Sequence, residues 1–215
     1  MTEREWLATL DPQEVLQHLI GQPSWRKLRL AAVACCRQMQ SLLVDERSIR
    51  AVETAELYAD KLHGTADTME IEHQATQVVD PSREVGTDPE NAAAHCAALC
   101  LALWAPADWG TLQVFGWSAS FVSRSVQVAI LACVFAVPYR NRRVRIEMDP
   151  AWLTSTVLAL ARQMYGSRDF SAMPILADAL QDAGCTSDDI LAHLRDPDAT
   201  HVRGCWALDL VLGKE

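Results

Sequence analysis

Apolar residues recur every three to four positions along most of this chain, and most of those stretches are bounded by residues that start or stop a helix. Asp11-Pro12 sets an N-cap before a proline at the first helical position. Val15, Leu16 and Leu19 then line one face as far as a stop at Gly21. Ser24 caps a second helix, in which Leu28, Ala31, Ala32, Cys35, Met39 and Leu42 recur at helical spacing. Arg26, Lys27, Arg37 and Gln38 fall mostly outside that stripe. Asp45 opens a third helix with Ile49, Val52, Ala55, Ala59 and Leu62 as its buried stripe, ended by Gly64. From Thr65 to near Val79 the apolar positions are sparse, which predicts a polar surface helix.

Residues 80–89 carry two prolines, a glycine and several charges, the composition of an exposed loop. Asp88-Pro89 repeats the helix-start signal before an Ala- and Leu-rich stretch from Ala92 to Trp104. Phe115 to Val137 reads as one long helix, bent near Ser118 to Ser125 and closed by Pro138. Val144 and Ile146 alternate with Arg145 and Glu147, a short extended pattern with no sheet to join. Asp149-Pro150 opens the stripe Leu153, Val157, Leu160, Ala161 and Met164, which stops at Gly166. Pro174 begins a helix ended by Gly184, Thr186 or Ser187 caps Asp188 to Leu194, and Val202 to Leu212 forms the last apolar helix. The pattern predicts an all-α fold, a bundle of roughly eight to ten short amphipathic helices in orthogonal or solenoid-like packing. It spans 1–215 as a single helical domain, with a candidate seam at 80–89 between 1–79 and 90–215.

Composition narrows the function classes. A net charge of −9 argues against nucleic-acid or anionic-lipid binding, which draws on clustered Lys and Arg, and fits a partner with a basic surface or self-association. The local exception is Arg140 to Arg145, with four arginines, which reads as a solvated loop between helices or as an anion contact. Seven cysteines, an odd number, sit mostly within apolar helical patterns; they read as small buried hydrophobes in a reducing cytoplasm. Met1 to Trp6 lacks the basic start and apolar core of a signal peptide, and the most apolar run, 126–137, is too short to span a bilayer. Half of the fourteen aromatic residues are Trp, suited to pinning helix junctions.

Candidate chemistry concentrates near the end of the chain. Cys185, His193, His201 and Cys205 supply two thiols and two imidazoles, a donor set that suits zinc, and His201 and Cys205 would share a face of the last helix. The spacing lacks the close Cys pair of a zinc finger, so buried Cys with ordinary capping or surface His is the competing reading. A cysteine nucleophile with His193 or His201 as base is a third reading, without an oxyanion loop or an orienting group. Cys35 and Cys36 point about 100° apart on a helix, one to the core and the other to an intermediate position. His95, Cys96 and Cys100 do not share one face. Glu70, Glu72 and His73 form a solvated acidic face or a weak divalent-ion site. Trp104, Trp109 and Trp117 surround a loop as a helix corner or an aromatic wall. The chain has no phosphate-binding Gly-rich loop, no His-Glu-x-x-His, and at Ser118 no hydrolase elbow. The expectation is a non-enzymatic protein-interaction or regulatory module without a cofactor. The alternatives are a zinc-binding helical protein using the Cys/His cluster and an enzyme with a non-motif active site.

Two blocks resemble a group of uncharacterised bacterial proteins associated with planctomycetes. One comprises Glu5-Trp6-Leu7, Arg26-Lys27-Leu28-Arg29-Leu30, Cys35-Cys36-Arg37, Asp45-Glu46-Arg47-Ser48 and Ala51-Val52-Glu53. The other comprises Trp152-Leu153-Thr154, Pro174 to Leu180, Asp182 to Cys185, Asp189 to His193 and His201 to Trp206. Where the resemblance implies a Cys after His193, this chain has Leu194. The resemblance implies a bacterial protein and carries no activity, cofactor or catalytic residue with it.

Overall fold

The computed structural model describes residues 9, 11–19, 24–62, 64–102, 107–136 and 148–214. Among them are eleven α-helices and no strand, so the all-α expectation holds with slightly more helices than anticipated. In chain order they are α1 (Pro12–Leu19), α2 (Trp25–Gln38), α3 (Glu46–Ala59), α4 (Thr65–Thr76), α5 (Pro89–Leu101) and α6 (Ala107–Ser118). There follow α7 (Arg124–Phe135), α8 (Ser155–Ser167), α9 (Met173–Asp182), α10 (Asp188–Arg195) and α11 (Trp206–Leu212). The expectations for Met1 to Trp6, Gly21, Trp104, Pro138, the basic stretch Arg140 to Arg145 and the extended segment 144–147 lie outside the described residues. None of the described helices is long and apolar enough to cross a membrane.

Three of the starts read from the sequence are side-chain caps, whereas Ser187 precedes α10 without a side-chain cap hydrogen bond. The side chains of Ser24, Asp45 and Asp88 accept the backbone N–H groups of Lys27, Arg47 and Asn91 at the starts of α2, α3 and α5. Each cap satisfies a donor that the helix itself leaves open, worth about 1 kcal/mol. Helix α2 lies at the centre and packs on α3, α5, α6 and α7. It is buried nearly all round, so Cys35 and Cys36 are both fully enclosed and neither takes the intermediate position expected for one of them. Buried Arg29 donates to the Cys100 and Ala102 carbonyls at the end of α5, where the helix dipole favours a cation.

Three boundaries differ from the sequence reading. Helix α3 stops at Ala59, where Asp60 turns inward to meet two arginines. Leu62 is therefore exposed, and Gly64 stands before α4 rather than closing α3. The long helix expected from Phe115 to Val137 is two helices. Ser123 caps α7, and Gln127 Nε2 donates to the Phe115 carbonyl (3.0 Å) and Ser118 Oγ (2.8 Å), which satisfies the end of α6. Asp149-Pro150 starts only a single 3-10 turn, and Thr154 caps α8.

A buried ion network ties the first helices to the last. Arg26 on α2 forms a bidentate pair with Asp209 on α11 (2.7 and 3.0 Å) and donates to Asp60 (2.9 Å) and to the Tyr165 hydroxyl on α8 (2.6 Å). Arg203 reaches Asp60 from the other side at 2.7 Å, with its guanidinium 4.6 Å from the centre of the Tyr165 ring. Burial alone would raise the Asp60 pKa, but Arg203 and Arg26 outweigh it and hold the carboxyl below its usual range.

Candidate metal centre

Three segments converge at the C-terminal end of the fold. Cys133 comes from the last turn of α7, His193 from α10, His201 from the connection between α10 and α11, and Cys205 from the residue just before α11. The apolar side of α10, Ile190, Leu191 and Leu194, is buried and leaves His193 on the flank that faces Cys205. The segment 196–205 is not helical, so His201 and Cys205 do not share a helix face as their spacing had suggested. A tight turn brings them together instead: the Cys205 N–H donates to the Val202 carbonyl (2.9 Å) across Gly204, whose φ is +92°. A Cβ on Gly204 would lie 2.9 Å from Leu30 Cδ1, so an L side chain there faces both an unfavourable backbone and a steric clash. Gly204→Ala is expected to lower stability by about 2 kcal/mol and to displace Cys205. Thermal melts check it: the variant melts lower than the parent.

One nitrogen or sulfur atom from each of Cys133, His193, His201 and Cys205 lies within 4.8 Å of the other three. A tetrahedral zinc site with ordinary Zn–S and Zn–N bonds spaces its donor atoms roughly 3.3–3.8 Å apart, so only small rotamer changes would be needed for this group to close on an ion. His193 Nε2 is already 3.2 Å from Cys205 Sγ. Ring packing fixes the imidazoles: His193 has its ring centre 5.0 Å from that of Trp206 and 5.0 Å from that of His201, the latter edge-on. His201 Nδ1 is buried without a hydrogen-bond partner, the kind of orphaned polar atom that an ion explains.

The electrostatics prepare a thiolate. Burial opposes ionisation of Cys205, but hydrogen bonds from Cys133, His193 and His201 outweigh it and hold this thiol well below its usual range. Burial pushes Cys133 well above its usual range, and hydrogen bonding to Cys205 adds to the rise, as befits an S–H donor to a neighbouring sulfur. A Cys–His pair of this kind resembles an activated nucleophile. Both sulfurs, however, are enclosed in the core, whereas a reactive thiolate must be reached by its substrate. Four protein donors around one point fit a closed structural site better than a catalytic one, which keeps a position open.

Cys185, expected as the fourth ligand, is not in this group. It follows Gly184 at the end of α9, where Gly184 N–H donates to Gln181 O and Cys185 N–H to Leu180 O (both 2.9 Å). These are the two bonds of a Schellman turn, which directs the residue after the glycine back onto apolar residues of its own helix. Cys185 is accordingly buried in the hydrophobic core. Cys133 takes its place among the donors, and nothing in its sequence context marks it: it lies in the apolar run 126–137, like any core cysteine.

The remaining candidates are structural. Cys36 Sγ and Cys100 Sγ touch at 3.2 Å, and Cys35 Sγ lies 3.1 Å from Ser118 Oγ. Burial pushes Cys35 up to about 12 and Cys36 well above the usual thiol range, which leaves both unreactive. Glu70 and His73 are engaged by Gln74 and Gln77 one turn along α4. His95 packs edge-on to Trp117 at 5.0 Å. Comparison of the chain with protein-family models, with curated proteins and with solved structures finds no match.

Proposed function

We propose that this chain is a helical module braced by a structural zinc ion held by Cys133, His193, His201 and Cys205, and that it acts through its surface rather than by catalysis. The convergence of four nitrogen and sulfur donors from three segments within 4.8 Å carries this reading. A zinc ion here would staple α7 to the segment that bears Cys205 and α11, holding the last helices against the first ones. Its own chemistry would be charge neutralisation of two thiolates. The net charge of −9 favours a basic protein surface as the partner, with a second copy of the chain as the alternative. All seven cysteines are free and buried, which suits a reducing compartment such as a bacterial cytoplasm.

Cobalt reports the donor set directly. One equivalent of Co2+ is expected to give the intense visible bands of a tetrahedral site together with thiolate charge-transfer absorption. Cys133→Ala should lose much of the charge-transfer intensity, and Cys185→Ala should keep it. A weak octahedral spectrum, or equal loss in both variants, would refute the assignment.

A further inference from the structure

Next to the donor group lies a cavity of about 180 Å3, partly open to solvent, whose walls include Arg37, Glu56, Arg168, His201 and Arg203, with Phe170 on an apolar side. Its charges do not balance. Glu56 is 1% exposed, and its Oε2 alone receives Arg37 (3.0 Å) and Arg168 Nε (2.8 Å), with Arg203 at 3.6 Å. Among the described residues, Arg26, Arg37, Arg168, Arg203 and Lys214 form one connected network with Glu56, Asp60 and Asp209. Among the described residues, five cations against three carboxylates leave a surplus of two positive charges in this network, in a chain whose net charge is −9.

Hydrogen-bond donors are in surplus as well. Each guanidinium offers five N–H groups in a planar fork. Arg37 Nε is buried without a partner. Arg168 ends α8 with φ +60°, a left-handed conformation rare outside glycine, and from there its side chain reaches Glu56. Arginine forks of this kind match the oxygens of an oxyanion in paired hydrogen bonds.

We propose that this cavity binds a small phosphate-type dianion, held by Arg37, Arg168 and Arg203 beside the carboxylate of Glu56. The two surplus charges match a dianion, and Glu56 keeps the arginines converged when the site is empty. The proposal does not rest on zinc: Arg37, Glu56 and Arg168 belong to α2, α3 and the end of α8, and Arg203, although it lies between His201 and Cys205, is anchored by Asp60 at 2.7 Å. Cys133→Ala therefore leaves these arginines in place, and a failure of the metal assignment leaves the phosphate titration readable.

The experiment is calorimetric titration of the full chain with inorganic phosphate, and in parallel with glycerol 2-phosphate. One saturable site is expected. Tighter binding of the ester identifies a phosphoryl group carried on a larger molecule, and equal binding identifies free phosphate. Arg37→Gln, at a partly exposed position, should fold normally and weaken phosphate by at least about tenfold, the loss of one charged hydrogen bond. Glu56→Gln should melt lower than the parent, and phosphate should raise its melting temperature by more than it raises the parent's. Absence of saturable heat at millimolar phosphate, or unchanged affinity in Arg37→Gln, would overturn the proposal.

Discussion

Cys205→Ala is expected to abolish stoichiometric zinc binding and to lower the melting temperature by roughly 10 °C. Cys205 has the largest effect of the four donors because it is the sulfur on which the other three converge. With free zinc at about a thousand times its dissociation constant, binding to the folded state contributes about 4 kcal/mol, and for a chain of this length each kcal/mol moves the melting point by about 2–4 °C. The small cavity left by the substitution adds to the loss without involving metal. Chelator separates the two contributions: it should lower the parent's melting temperature sharply and leave that of Cys205→Ala unchanged. Cys185→Ala serves as the control, since it leaves a similar small cavity in the core while the response to chelator is retained.

Asp209→Ala is expected to cost about 3–5 kcal/mol, because it strands the Arg26 guanidinium without its bidentate partner in a water-excluded site. Asp209 is 2% exposed, so water cannot replace the lost carboxylate without opening the buried contact between Arg26 and α11. The double variant Arg26→Met with Asp209→Leu should recover a substantial part of that loss, since neither unpaired charge then remains. Denaturant unfolding of the two single variants and the double variant gives the coupling. If the losses simply added, the pair would not be the linchpin described here. Asp60, on the other side of Arg26, gives the network its acid sensitivity. Its pKa is held below the usual carboxylate range, so its contribution is complete at neutral pH and fades as pH falls through that lowered value.

Local signals and non-local ones fared differently in the sequence. Ser24, Asp45 and Asp88 announced helix starts because a cap is made within three residues of the side chain that makes it. The helical periodicity of α2 was plain, but Arg26 and Arg37 fell mostly outside the apolar stripe, and nothing local marked either for burial. That Arg26 is buried depends on Asp60 and Asp209, which no local pattern connects to it. The break between α6 and α7 was visible only as a serine-rich stretch, since Gln127 satisfies the carbonyl end of α6 from the next helix. Three of the four clustered donors were legible because His193, His201 and Cys205 lie close along the chain. Cys185 looked equivalent by spacing until the Schellman turn drew it into the core. Cys133 sits on a separate helix within an apolar run, and a donor of that kind becomes visible only when the chain is folded.

The most direct test is the metal content of the purified chain by native mass spectrometry and elemental analysis, under reducing conditions and after exposure to one equivalent of zinc. One zinc ion per chain is expected, falling well below one in Cys133→Ala and fully retained in Cys185→Ala. A parent chain that remains metal-free after that exposure would contradict the assignment.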